Sequence, residues 1–334
     1  MIKPSDTLYF YLHIRNYLRY LSLILLLLTT SCTDSTAPTL RLGTNIWPSY
    51  EPLYLARHKG LLQEERVKLV ELSSASQVME AFRNQLIDAA ALTLDEALIL
   101  ADSGEAFKII LVMDISNGAD AVVGQSTITS LHDIKGKLVG VENNALGAYM
   151  ISRALETINL PKTAIQIVPI DFEKQEKQFI QKKIAAVVTF DPVLQKLLAR
   201  GGNKLFDSSQ IPNEIVDTLI VRDSYLQEHT NVVQYLIDGW FKSITLIETQ
   251  PKKTAKILGQ RMGLGVEDTL KTYIGIRIPG RNENAKLLKR GQQNQPILSD
   301  VIIRITNFMQ SEGLLRNKIE PSRLFSESVL RYAE

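Results

Sequence analysis

The sequence predicts an α/β protein made of two interleaved halves and a helical tail. From Leu40 onward, short β-rich runs alternate with helical patterns, as in mainly parallel sheets flanked by helices. The alternation is broken twice by turn-rich stretches, at 116–120 and 207–217. After Asn231 every pattern reads as helical. One half inserted within the other satisfies all three observations, which places the first lobe at 40–115 plus 218–334 and the second at 120–207.

The elements follow in order. Residues 40–46 read as a strand, then a helix near 52–59 begins with Pro52 in its first turn and stops at Gly60. A strand at 67–72 precedes a helix at 77–86 with Val78, Phe82 and Leu86 on one face. The apolar strand 87–92 runs into Thr93-Leu94-Asp95-Glu96, a capping box opening a helix that ends at Gly104. A strand at 107–114 closes the first set. Strands restart at 121–124, 137–142, 165–170 and 184–189, with helices that include 145–158 and 191–200, and a last strand lies at 217–222. Asp191 and Pro192 read as the N-cap and first residue of their helix. The tail holds helices at 232–248, 252–262 and 299–312.

The N-terminus reads differently. Lys3, Arg15 and Arg19 precede an apolar run at 20–28 and the small residues Thr29, Thr30 and Ser31. A membrane span needs roughly 20 apolar residues, so residues 1–31 form a secretory signal instead. Cys32, the chain's only cysteine, follows directly. Its placement resembles the lipobox of bacterial lipoproteins, in which a lipidated cysteine becomes the new N-terminus. Thr29 stands where that pattern prefers leucine, with Leu28 one place early. The small polar residues of 32–39 suit a tether between lipid and folded domain. The expected location is the periplasmic side of the envelope, lipid-anchored to membrane.

Composition excludes several functions. The chain holds 38 basic and 36 acidic side chains, and 35 of each remain after residue 31. Such neutrality argues against a nucleic-acid binder. No cysteine follows position 32, and His13, His58, His132 and His229 lack ligand-like spacing, so neither a bound metal nor another cofactor is expected. No Gly-x-Ser-x-Gly elbow is present.

Ligands of open parallel sheets bind beyond the carboxyl ends of strands, where helix N-termini point. The loops there supply the candidate ligand-binding residues: Asn45, Trp47 and Glu51 in the first, Ser76 and Thr93 at the next two, Asn117 at the first crossing, Asn144 and Ala145 in the second half, and Phe190 with Asp191 at its last strand end. Trp47 is able to stack on a ligand and donate one hydrogen bond, or to pack the loop onto its own lobe.

Several motifs carry a family resemblance. Gly43-Thr44-Asn45-Ile46-Trp47-Pro48, Pro52-Leu53-Tyr54-Leu55-Ala56, Ala81-Phe82-Arg83-Asn84-Gln85-Leu86-Ile87-Asp88-Ala89-Ala90, Asp114-Ile115-Ser116-Asn117-Gly118-Ala119-Asp120 and Asp133-Ile134-Lys135-Gly136-Lys137 are similar to segments of the substrate-binding proteins of ABC importers for nitrate, aliphatic sulfonates and taurine, relatives of thiamine-pyrimidine binders. The resemblance runs from about residue 40 to 315. It implies a type II periplasmic-binding-protein fold, a monomer that closes around a small ligand and presents it to a permease with its ATPase. The fold is shared with a yeast-type pyrimidine synthase that consumes its own histidine. His58 alone does not support that chemistry, because the enzyme also needs a cysteine-rich iron motif; the chain is expected not to be an enzyme.

One feature departs from the family's anionic ligands. The candidate loops hold Glu51, Asp95, Asp114, Asp120, Glu142 and Asp191 but no Arg or Lys. Acid and aromatic lining suits a cationic amine or an aminopyrimidine, with Trp47 and Phe190 as stacking surfaces. A lipid-anchored sensor docking with a membrane signalling enzyme is a further alternative, because closure on a ligand is common to both roles.

Overall fold

The computed structural model describes residues 37–288 and 298–326. The expected signal, Cys32 and most of the tether lie outside these residues. Two sheets organise the fold. The first has six strands in the order β11-β4-β10-β3-β1-β2 and the second has five in the order β7-β6-β8-β5-β9.

The first sheet takes β1 (Leu40–Thr44), β2 (Val67–Glu71), β3 (Ala89–Thr93), β4 (Phe107–Ser116), β10 (Val216–Arg222) and β11 (Ile276–Arg277). β1 pairs in parallel with β2 and β3, Leu42 lying opposite Leu69 and Ala89. β10 runs antiparallel between β3 and β4. Every residue of β3 is buried, which explains its continuous apolar run: helices cover both faces, so no polar alternation is needed. Those helices include α1 (Glu51–His58), α2 (Ala75–Arg83) and α3 (Leu94–Asp102).

The second sheet is built from β5 (Asp120–Gly124), β6 (Leu138–Val141), β7 (Gln166–Pro169), β8 (Ala186–Phe190) and β9 (Asn203–Asp207), with α4 (Ala145–Thr157), α5 (Phe172–Ile180) and α6 (Val193–Ala199) packed on it. Its two faces follow the two-residue period of strands. Val122, Ala186 and Val188 join one apolar cluster with Met150 and Phe206. Ala121, Val123 and Val187 join the other, with Phe179 and Leu197.

The tail contains α7 (Asp223–Glu228), α8 (Thr230–Thr249), α9 (Pro251–Met262), α10 (Val266–Ile274), α11 (Arg281–Leu288) and α12 (Ser299–Ser311). The sequence expectation of an all-helical tail misses β11, a two-residue strand that pairs Ile276 with Ser116 at the edge of the first sheet. β9 is also absent from the sequence reading, because only Phe206 and Asp207 of its five residues are buried and no apolar run marks it. Two helix boundaries differ as well. α2 stops at Arg83 and the chain turns through Gln85 at φ 57°, which leaves Leu86 61% exposed instead of on the buried face. α6 starts at Val193, so Asp191 does not cap it.

Both connections between the sheets are tied together. Gly118 at φ 115° occupies backbone space that side chains resist. Its N–H and the Ser116 hydroxyl meet Ser208 Oγ, each at 2.7 Å. Asn117 and Ala119 donate their backbone N–H groups to Gly275 O at 2.8 and 3.1 Å. A Cβ at Gly275 would stand 3.1 Å from Ala119, so only glycine lets α10 end this close to the crossing.

Candidate functional site

A cavity lies where the strand-end loops of the two sheets face one another. From the first sheet come Asn45, Trp47 and Tyr50 after β1, Ser74 and Ala75 after β2, Thr93 and Glu96 after β3, and Asp217 on β10. From the second come Asp120 on β5, Glu142, Asn144 and Leu146 after β6, Phe172 after β7, and Phe190 ending β8. No Lys, Arg or His lines it among the described residues.

The Trp47 loop is held from behind by the tail. Trp240 on α8 donates its indole N–H to Ser49 O at 3.0 Å, and Tyr273 on α10 donates to Pro48 O at 2.9 Å. Arg261 on α9 pairs with Glu51 at 2.7 Å and lies over the Tyr54 ring. Clamped this way, Trp47 is 4% exposed and donates its own N–H to Asp114 Oδ2 at 2.7 Å. The indole hydrogen bond is therefore made inside the protein, and Trp47 offers a ligand only its ring. Its edge meets Phe190 across the cavity, with centroids 5.6 Å apart at 74°. Phe190 in turn stacks on Phe172 at 4.1 Å and 5°. One face of Phe190 is thus covered, and Phe172, which sequence reading missed, becomes part of the wall.

Acids dominate the polar lining. Tyr50 donates its hydroxyl to Asp217 Oδ1, whereas Asp217 Oδ2 and Asp120 Oδ2 are buried without a hydrogen-bond partner. Burial pushes the Asp120 carboxyl up to about 8, reinforced by the Asp114 and Asp191 charges and opposed by a Ser116 hydrogen bond. Burial also lifts Asp114 to about 7 against the pull of Trp47, and Glu142 to about 7 with help from Asp171. Glu96 and Asp217 rise well above the carboxylate range, first through burial and then through the Asp95 and Asp114 charges respectively.

On the cavity wall, among the described residues, positive potential comes from helix N-termini rather than from basic side chains. Ser74 caps α2 and Asn144 caps α4, accepting from Gln77 N at 3.4 Å and Gly147 N at 2.8 Å, and neither helix has an acid in its first turn. Each such terminus carries roughly half an elementary charge and contributes about 0.3–1 kcal/mol. These two termini face four lining carboxyl groups, Glu96, Asp120, Glu142 and Asp217.

A second cavity adjoins the first and extends into the second sheet's side past Met150, Val188 and Thr189 to Gln175. Gln175 on α5 is fully buried, and neither its amide nitrogen nor its oxygen has a partner; Thr189 Oγ1 is likewise unpaired. Sequence reading had no signal for Gln175, since a glutamine on an amphipathic helix ordinarily faces water.

Of the residues expected from the sequence, Asn45, Trp47, Thr93, Asn144 and Phe190 meet in the cavity. The others stand elsewhere. Glu51 is held by Arg261, and Ser76 and Asn117 are exposed. Ala145 faces a neighbouring surface groove, and Asp191 is buried just behind Phe190. His58 is exposed in the last turn of α1, away from the cavity. No group of His, Cys, Asp and Glu suited to a metal occurs among the described residues, and no helix there is long and apolar enough to cross a membrane.

The sequence profile of the NMT1-like family matches residues 33–262, more than half of the chain. The chain belongs to the NMT1-like family. A search of curated proteins finds no match. Among solved structures, the periplasmic aliphatic sulphonate binding protein SsuA from Escherichia coli superposes with a TM-score of 0.72 at 17% identity, covering 88% of this chain and 99% of that one. The alkanesulfonate-binding protein SsuA from Xanthomonas axonopodis pv. citri, bound to MOPS, gives 0.71 at 16% identity, covering 87% and 99%. A Candida albicans gene product described as having the generic periplasmic binding protein fold gives 0.66 at 13%, covering 89% and 99%. The two-sheet α/β architecture of this NMT1-like chain is thus the periplasmic-binding-protein fold that its sequence predicts.

Two outcomes follow from the buried polar groups. A carboxyl whose pKa is raised on folding binds more protons folded than unfolded, so its contribution to stability is complete below the unfolded pKa and is lost as pH climbs through the folded one. With Asp114 and Glu142 near 7 and Asp120 near 8, the ligand-free protein loses stability between about pH 5 and 8, read as a falling melting temperature. A melting temperature that rises over that interval would contradict the assignment. Gln175→Leu removes an unsatisfied amide and should stabilise the ligand-free protein by about 1–3 kcal/mol in a denaturant titration. A loss of stability would instead mean that Gln175 is satisfied inside the fold.

Proposed function

We propose that this protein is an extracytoplasmic solute-binding protein of an ABC importer, capturing a small polar ligand between two lobes and handing it to a permease. One observation carries the reading: the loops lining the cavity come from strand ends of two separate sheets, so a ligand bound there touches both. The lining mixes aromatic rings with a few convergent polar groups, as small-molecule sites do.

In this reading the lobes are 40–115 with 218–334, and 120–207, and they hinge at 116–120 and 207–217. The crossing at Gly118 and the paired serines Ser116 and Ser208 supports that placement, because every motion between the sheets must pass through it. Closure then creates a surface that a permease distinguishes from the open state. The sulfonate ligands of the structural relatives make sulfonates natural members of any ligand screen. Both walls of the cavity come from one chain, so a monomer suffices to hold the ligand.

Small-angle scattering tests the mechanism. A ligand identified by thermal shift should reduce the radius of gyration, and a radius unchanged at saturation would rule out hinge closure. Ligand at about 100 times its dissociation constant should add ~2.7 kcal/mol of stability.

Lipidation of Cys32 would keep the cavity close to the bilayer, because residues 33–39 span at most ~25 Å when extended. Cys32→Ser should move the protein from the membrane fraction to the soluble periplasmic fraction. Membrane association that survives the substitution would remove the anchor from the proposal.

A further inference from the structure

We propose that the ligand of this cavity is a small organic cation whose ammonium group sits against Asp120, Asp217 and Glu96. The inference rests on the solute-binding reading and names the chemical class of solute. Asp120 and Asp217 are 2% and 1% exposed, line the cavity, and each leaves one carboxyl oxygen with no hydrogen-bond partner. A buried acceptor without a donor is costly, and a ligand that brings an N–H donor relieves that cost. The aromatic rings of Trp47, Phe172 and Phe190 border the same space, and ring faces attract cations once water is excluded.

The remaining charges around these acids point the same way. Tyr50 donates to Asp217, and Asp95, Asp114, Glu142 and Asp191 stand on or behind the neighbouring strand ends. Lys204, on β9, acts on Asp191 and is paired with Asp207 at 2.6 Å. At neutral pH the Asp120 carboxyl, with a pKa near 8, is mostly protonated in the empty site, and that of Glu142, near 7, about half so. A bound ammonium favours their charged forms, so binding expels protons. Beyond the charged end, Gln175 and Thr189 in the adjoining cavity provide unpaired groups for a hydroxyl, amide or second amine on the same molecule.

The opposite ligand makes the opposite linkage. An anion would be held by the N-termini of α2 and α4 together with protonated carboxyl groups acting as donors, and its binding would take protons up. The experiment is titration of the folded protein with ethanolamine, putrescine and choline as cations and with methanesulfonate and nitrate as anions. Affinity is measured in phosphate between about pH 6 and 8, and proton movement is measured in unbuffered salt. The expected result is binding of at least one amine, tightening by up to about tenfold per pH unit for each proton released. Asp120→Asn and Asp217→Asn should each weaken that binding at least ~tenfold while raising the melting temperature of the free protein, which separates loss of the site from loss of the fold. Anion binding with proton uptake, or amine binding that both variants retain, would overturn the cation assignment and leave the solute-binding reading standing. Failure of every amine and anion to bind, with no compaction in scattering, would overturn both.

Discussion

The placement of acids relative to the chain's own cations governs the rest of this structure. Burying a carboxylate costs several kcal/mol unless a cation or a set of donors replaces its water. The protein meets that requirement in some places and withholds it in one. Glu51, fully buried, has the Arg261 guanidinium at 2.7 Å. Glu214 receives Arg153 and Tyr149, and the bonds from these donors hold its carboxyl below the usual range even though burial pushes the other way. Asp120 and Asp217, equally buried, receive no cation, although the chain has 38 basic side chains to draw on. Unpaired acid oxygens gather on and behind the cavity wall, at Asp120 and Asp217 on it and at Asp95, Asp114 and Asp191 close behind.

That arrangement depends on a rigid support. The first strand-end loop carries both Trp47 and Tyr50, which hydrogen-bond Asp114 and Asp217 from opposite ends of one short turn. Left alone, a loop with Pro48 and Ser49 would not hold two aromatic rings against two carboxyl groups. Trp240, Tyr273 and Arg261 fix it from behind, reaching back across 191, 225 and 210 residues of sequence. The helical tail is therefore part of the site's machinery. Gly275 adds a second link, because the end of α10 also receives the backbone N–H groups of the crossing between the sheets. Loop, tail and crossing form one connected frame around the cavity.

The fold was legible because its signals are local. Strands buried on both faces need continuous apolar runs such as Ala89–Thr93, and Glu96 accepts the Thr93 N–H at 3.0 Å as the capping motif predicts. β9 and β11 were not legible, since edge pairing of a short, half-exposed segment leaves no period in the sequence. The site was legible only in part for a related reason. Trp47, Asn144 and Phe190 follow their own strands directly, so local order finds them. Asp217 sits at the start of an antiparallel strand, Phe172 and Gln175 on a helix after an exposed one, and only the tertiary arrangement aims them inward. Glu51 stands outside the cavity because its partner, Arg261, which lies in the tail, holds it there.

A two-sheet architecture of this kind does not by itself set the charge of the ligand it holds. Strand order and crossings fix where a ligand sits, whereas the side chains at eight or so strand-end positions fix which charge is welcome, and fold alone does not decide the second. Solved structures with 13–17% identity share the fold with this chain and leave the charge of its ligand open. Carboxyl groups close to neutrality in pKa are informative here because they have two ways to act: ionised, they attract a cation, and protonated, they donate to an anion. The unpaired oxygens of Asp120 and Asp217 tilt the balance toward the ionised form with a cation bound. A protonated carboxyl satisfies an anion best when a basic side chain shares the load, and among the described residues this cavity wall has none. The direction of proton movement on binding is thus the quantity in which the charge of the ligand and the physics of the empty site meet.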